Sequence, residues 1–153
     1  MNPPSERASP LHAAAPFFHL LRIGLGVLFL LSGADKAIDP GNFLVAVRSY
    51  QILSDPWAPL LALCLPWLEL LIGCCLLSQR HFHAALLLSG CLLVIFLVAI
   101  LSAWMRGLEI VCGCFGPGSG TGNHLHLVGR DLALLIVVMA LAWKARLEMT
   151  AGN

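Results

Sequence analysis

Charge is what this chain has least of: nine Lys and Arg with eight Asp and Glu make up 11% of its 153 residues. A water-soluble domain carries about 25% charged residues, so this scarcity excludes a molecule that meets water on every side. The few cations stand singly and the net charge is +1, which excludes the basic patch of a nucleic-acid-binding surface. A small-residue cleavage pattern is also missing behind the first apolar run, where SGADKAIDPG puts Asp35 and Lys36 at the would-be cut. That run is therefore expected to stay as a helix and not to leave as a signal peptide. What the chain has instead is apolar mass, 59% of its residues and a mean hydropathy of +0.87, for which lipid is the matching solvent.

Four apolar runs are long enough to cross a bilayer, which takes about 20 residues at about 1.5 Å each. They are Phe17 to Ala37, Ala58 to Ser78, Phe82 to Trp104, and Asp131 to Trp143 extended by its flanks to Val128 and Ala145. Trp57, Trp104 and Trp143 stand near run ends, as interfacial tryptophans do. The fold class that follows is an all-α membrane protein, a four-helix transmembrane bundle spanning residues 16–148. Residues 1–15, rich in Pro, Ser and Ala without periodicity, read as a disordered tail. Between the first two spans, Asp39-Pro40 opens a short helix and Asp55-Pro56 closes it. Phe43, Val47, Tyr50 and Gln51 fall on successive turns of that helix, so it is expected to lie at the membrane interface over one mouth of the bundle. QRHFH at 79–83 allows only a tight hairpin, whereas Met105 to Leu127 is a longer loop.

With four spans, Arg7, Arg22, Arg80, Lys144 and Arg146 share one side, and Lys36, Arg48, Arg106 and Arg130 share the other. The first group is the larger, so both termini are expected on the cytoplasmic side. The loop after the third span then faces the periplasm in a bacterial inner membrane, an oxidising compartment.

That loop holds IVCGCFGPGSG, with Cys112 and Cys114 on either side of Gly113. A disulfide between residues two apart needs a sharp bend to bring the Cα atoms within about 4.4 to 6.8 Å, and glycine permits it. So tight a ring is strained, and strained exposed disulfides are the labile or catalytic ones. The pair is therefore read as a thiol–disulfide couple. A metal reading competes, because Cys112, Cys114, His124 and His126 are four candidate ligands for Zn or Cu in one loop. A structural role, with each cysteine bonded elsewhere, is the third alternative. Cys74, Cys75 and Cys91 lie within spans as small hydrophobes, and Cys64, about two turns below the outer end of its span, is the membrane thiol nearest in depth to the loop.

Ionisable groups in a bilayer are functional candidates by default. Glu69, near the middle of the second span, and Arg22, about a turn and a half inside the first, differ in depth by about 6 Å and are expected to pair. Lys36, Arg106, Arg130 and Asp131 are expected at the outer edge, where the cations would favour thiolate at Cys112 and Cys114.

Arg22, LGVLFLLSGADK (25–36), DPGNFLVAVRSY (39–50), LPWLELLIG (65–73), CGCFG (112–116) and Arg130-Asp131 together resemble the methylamine utilisation MauE family within the DoxX-like membrane proteins. The resemblance covers Arg22 to Leu141 and implies a four-helix membrane protein of periplasmic redox chemistry. It further implies a role in maturing a disulfide-rich dehydrogenase subunit alongside a thioredoxin-like partner. Cys112 and Cys114 would then be the thiol pair, and Arg22, Lys36 and Glu69 the polar residues of the bundle. A membrane quinone is the expected further electron acceptor or donor, as in other four-helix membrane thiol oxidoreductases, although no residue specifies its site. The GPGSGTGNHLH insert and the additional membrane cysteines depart from the family pattern.

The orientation has a direct check. After reduction, a membrane-impermeant maleimide should label Cys112 and Cys114 in cells whose outer membrane alone is permeabilised, whereas labelling that waits for inner-membrane lysis would reverse the topology.

Overall fold

A computed structural model describes residues 10–108 and 124–151. Among them the chain forms helices only: α1 (Pro10–Ile38), α2 (Pro40–Ser49), α3 (Trp57–Ser78), α4 (Phe82–Met105) and α5 (His124–Ala151). Four are long and apolar enough to cross a membrane, over Pro16–Ile38, Trp57–Ser78, Phe82–Met105 and Leu125–Leu147. These match the expected spans, with two differences at their ends. The first helix already begins at Pro10, so residues 10–15, expected as tail, are helical. The fourth span begins three residues before Val128, which puts Arg130 and Asp131 inside a helix where a border was expected.

The surface confirms lipid as the solvent. Leu20, Ile95, Ile136 and Trp143 are each more than 60% exposed, while Lys36, Glu69 and Asp131 are among the most buried side chains. Such an inverted distribution is stable only where the outer medium is itself apolar.

Around the bundle α1 packs on α3 and α5, and α4 packs on the same two, which leaves α1 and α4 diagonal to each other. Apolar side chains including Leu25, Phe29, Ile72, Leu76 and Leu93 fill the space between. The α3–α4 hairpin turns through Gln79 and His81, both with positive φ, in the tight connection expected of QRHFH.

The α1–α3 contact is the closest, and glycines set it. A Cβ on Gly33 would come within 2.9 Å of the Pro66 carbonyl oxygen, and one on Gly73 within 2.9 Å of the Gly26 carbonyl oxygen. Small residues of this kind let helix backbones touch where no hydrophobic effect drives association. They also fix the antiparallel register, with Gly26 beside Gly73 and Gly33 beside Pro66 and Glu69.

The short helix α2 starts where the sequence predicts but ends at Ser49, short of the expected Asp55-Pro56, so Tyr50 and Gln51 lie beyond its last turn and Gln51 takes a positive φ that breaks the helix. The Asp39 carboxylate accepts from the Asn42 N–H at 3.0 Å and Pro40 occupies the first turn, where a missing N–H costs nothing. Phe43 and Ala46 are buried against the bundle, and α2 rests on α1 and α3. Its far end is held by Arg106 at the end of α4, which donates to the carbonyl oxygens of Gln51, at 3.1 Å, and Tyr50.

Register therefore rests on backbone contact, and one added carbon should disturb it. Gly73→Ala is expected to lower stability in detergent by about 1–3 kcal/mol, the usual cost of overpacking. Gly24→Ala, whose Cβ meets nothing within 4 Å, should leave the thermal midpoint unchanged or raise it. Equal effects of the two substitutions on a thermal melt would contradict the packing account.

Candidate functional site

The centre of the site is a buried ion pair. Lys36 Nζ lies 2.7 Å from Glu69 Oε2 and 3.0 Å from Oε1, with the two side chains 1% and 4% exposed. The same ammonium donates to Ser32 Oγ at 2.5 Å and approaches the Ser32 carbonyl oxygen at 3.2 Å. Ser32 and Lys36 are four apart on one helix, so they share a face, and the sequence spells this as SGADK. An ammonium has three N–H groups; four acceptors around it leave no donor idle. Phe43 of α2 completes the cage, its ring centroid 5.5 Å from Nζ, within the range of a cation–π contact.

A second ion pair stands opposite, on α5. Arg130 Nη2 and Nε donate to Asp131 Oδ1 at 3.0 and 3.2 Å, and Asp131 is 1% exposed. Its other oxygen, Oδ2, is buried with no hydrogen-bond partner. Desolvating an acceptor without pairing it is costly, so this atom marks a place where the fold tolerates an unmet bond.

Between the two pairs lies a cavity of about 120 Å³, with Ser32, Lys36, Glu69, Arg130 and Asp131 on its polar side. Leu28, Phe29, Phe96 and Leu134 wall the rest. It sits toward the end of the bundle where α4 stops and α5 starts, since Asp131 comes seven residues after His124 and Lys36 lies two before the end of α1.

Several expectations change. Glu69 pairs with Lys36 and not with Arg22. Arg22 instead lies beside Gln79, whose amide oxygen, turned toward the guanidinium, accepts from Nη1 at 2.6 Å and Nη2 at 3.0 Å. The glycine register explains the correction, because it sets Glu69 level with Gly33, half a bundle from Arg22. Lys36 is correspondingly not an outer-edge cation but an interior one. Arg106 does lie at that end, yet its guanidinium is engaged on Ser102 and on the backbone after α2. Ser32 was missed altogether, although its spacing from Lys36 signals it.

Cys112 and Cys114 lie outside the described residues. Cys64 is exposed on α3, on a different face from the buried Ala62, Pro66 and Glu69, and so does not line the cavity. Cys74 and Cys91 are likewise exposed toward the surrounding medium. Of the metal-site candidates, His126 is exposed on the first turn of α5, and among the described residues no three His, Cys, Asp or Glu converge as a metal would require.

Comparison with known proteins gives one consistent result. A family model described as methylamine utilisation protein MauE matches residues 14–144. Methylamine utilization protein MauE of Methylorubrum extorquens is 34% identical over 128 residues, covering 82% of this chain and 69% of that protein. The protein of the same name from Paracoccus denitrificans is 31% identical over 123 residues, covering 80% of this chain and 66% of its own length. The chain thus spans about two thirds of the length of these relatives. No solved structure matches it.

The ion pair yields a sharp expectation. Glu69→Gln leaves Lys36 as an unpaired buried charge and should lower stability by about 3–5 kcal/mol. Lys36→Met combined with Glu69→Leu should regain most of that loss, while Arg22→Met should be additive with Glu69→Gln. Thermal melts of the four variants decide it; non-additivity of Arg22 with Glu69 would restore the discarded pairing.

Proposed function

Because the chain belongs to the MauE family, we propose that this multi-pass membrane protein serves methylamine utilisation as a thiol–disulfide component of the bacterial inner membrane. Cys112 and Cys114 form its working couple. A thiolate of a periplasmic thioredoxin-like or disulfide-rich partner attacks the Cys112–Cys114 disulfide, and the partner's second thiol resolves the mixed disulfide. The partner leaves oxidised, and the pair retains two electrons and two protons as thiols.

One observation carries this reading: the buried polar constellation lies at the end of the bundle from which the cysteine-bearing segment emerges. That segment joins Leu108, whose N–H bonds the Ala103 carbonyl oxygen at 3.0 Å, to His124 at the head of α5. Cys112 follows Leu108 by only four residues. A bilayer protein meets the cost of burying Lys36, Glu69 and Asp131 where function needs them, and here they gather toward the end of the bundle where α4 stops and α5 starts.

Alkylation mass spectrometry across a glutathione series tests the couple. The Cys112–Cys114 bond should open and close reversibly at a potential above the roughly −300 mV typical of structural disulfides. Inserting one residue after Gly113 relaxes the ring and should lower that potential while exchange persists. Cysteines that stay reduced, with Cys112→Ser and Cys114→Ser variants still complementing, would point to a non-catalytic assembly subunit. Stoichiometric Zn or Cu lost on the same substitutions would point to a metal-handling protein.

A further inference from the structure

We propose that the cavity between the two ion pairs is a binding site for a para-quinone ring supplied by the lipid, and that Asp131 Oδ2 accepts the hydroxyl of its reduced form. The redox sense of this proposal rests on the thiol–disulfide reading above, whereas the binding site rests on the cavity alone.

Three features of the cavity select the ligand. The first is size: a dry apolar cavity of about 150 Å³ takes up benzene, so about 120 Å³, open on one side, suits a single six-membered ring whose substituents extend outward. The second is the wall. Phe29, Phe96, Leu28 and Leu134 line it, and Leu28 is itself 39% exposed on the outer face of α1. The cavity is therefore within reach of lipid, and a lipid-borne ring need not cross water to enter.

The third feature is polarity. Lys36 has spent its three N–H groups on Ser32 and Glu69. Asp131 Oδ2 is the one buried side-chain acceptor without a partner among the described residues. A site with an idle acceptor calls for a ligand with a donor, and a hydroquinone hydroxyl is a donor where a quinone carbonyl is not.

The chemistry balances. Oxidation of the Cys112 and Cys114 thiols to a disulfide releases two electrons and two protons, and reduction of a para-quinone to its hydroquinone takes up two of each. A site that holds the hydroquinone tenfold more tightly than the quinone raises the two-electron potential of the bound ring by about 30 mV, in the direction that draws electrons from the thiols.

The test uses the full-length protein in lipid nanodiscs with a short-chain ubiquinone, titrated in oxidised form and, under argon, in reduced form. Saturable binding with at least tenfold preference for the reduced form is expected. Asp131→Asn keeps an oxygen for Arg130 but turns an N–H₂ toward the cavity, so it should weaken hydroquinone binding at least tenfold and abolish or reverse the preference. Leu134→Trp fills the cavity and should abolish binding of both forms. Should Asp131→Asn not fold, as judged by gel filtration, Leu134→Trp and Phe96→Trp carry the test. No saturable binding by the natural chain, or binding indifferent to all these substitutions, overturns the site. The Cys112→Ser/Cys114→Ser protein should bind as the natural chain does. Binding that persists in a natural chain whose thiols the quinone never oxidises refutes the thiol reading while leaving the site standing.

Discussion

The Lys36–Glu69 ion pair is the interaction on which the rest of this bundle turns. In a medium with almost no capacity to solvate charge, each partner needs the other to remain buried, and their 2.7 Å contact demands that α1 and α3 meet at one register. Gly26, Gly33 and Gly73 supply that register through backbone contact. Packing and electrostatics thereby specify the same alignment, and neither is free to slip without breaking the other. The lid helix belongs to the same unit, since Phe43 both buries itself on the bundle and covers the Lys36 ammonium.

The second half of the bundle is arranged around a different constraint. On α5, Arg130 satisfies only one oxygen of Asp131, so this ion pair has an unmet bond where the Lys36–Glu69 pair has none. The diagonal relation of α1 and α4 leaves room between the halves, and the cavity occupies that room. One side of the site is thus saturated and rigid, the other poised to accept a donor, which is the asymmetry a binding site needs in order to prefer one form of a ligand.

Much of the fold was legible in the sequence because it depends on composition. Long apolar runs name the spans, and Asp39 followed by Pro40 names the start of α2, since capping is a local matter. The partners inside the bundle were less legible. Counting depth along two isolated helices put Arg22 within about 6 Å of Glu69, but relative depth is set by interhelical contact, and Gly33 against Pro66 is a contact that no single-helix pattern contains. Ser32 could have been recovered from its spacing to Lys36. The isolation of Asp131 Oδ2 could not, because it depends on how Arg130 divides its hydrogen bonds. The outward direction of Cys64 follows from its phase relative to Ala62 and Pro66, which becomes readable only once the buried face of α3 is known.

The pairing of the charges around the cavity has a consequence for the bundle as an object in an electric field. A lone elementary charge moved across a membrane is worth about 2.3 kcal/mol per 100 mV. Here Lys36 is cancelled by Glu69 at 2.7 Å and Asp131 by Arg130 at 3.0 Å, so a transmembrane voltage finds two short dipoles to twist around the cavity, while Arg22, bonded to the neutral Gln79 amide, keeps its net charge at the other end of the bundle. The surroundings of the cavity are therefore electrically quiet, and its two ion pairs stay closed whether or not a voltage lies across the bilayer.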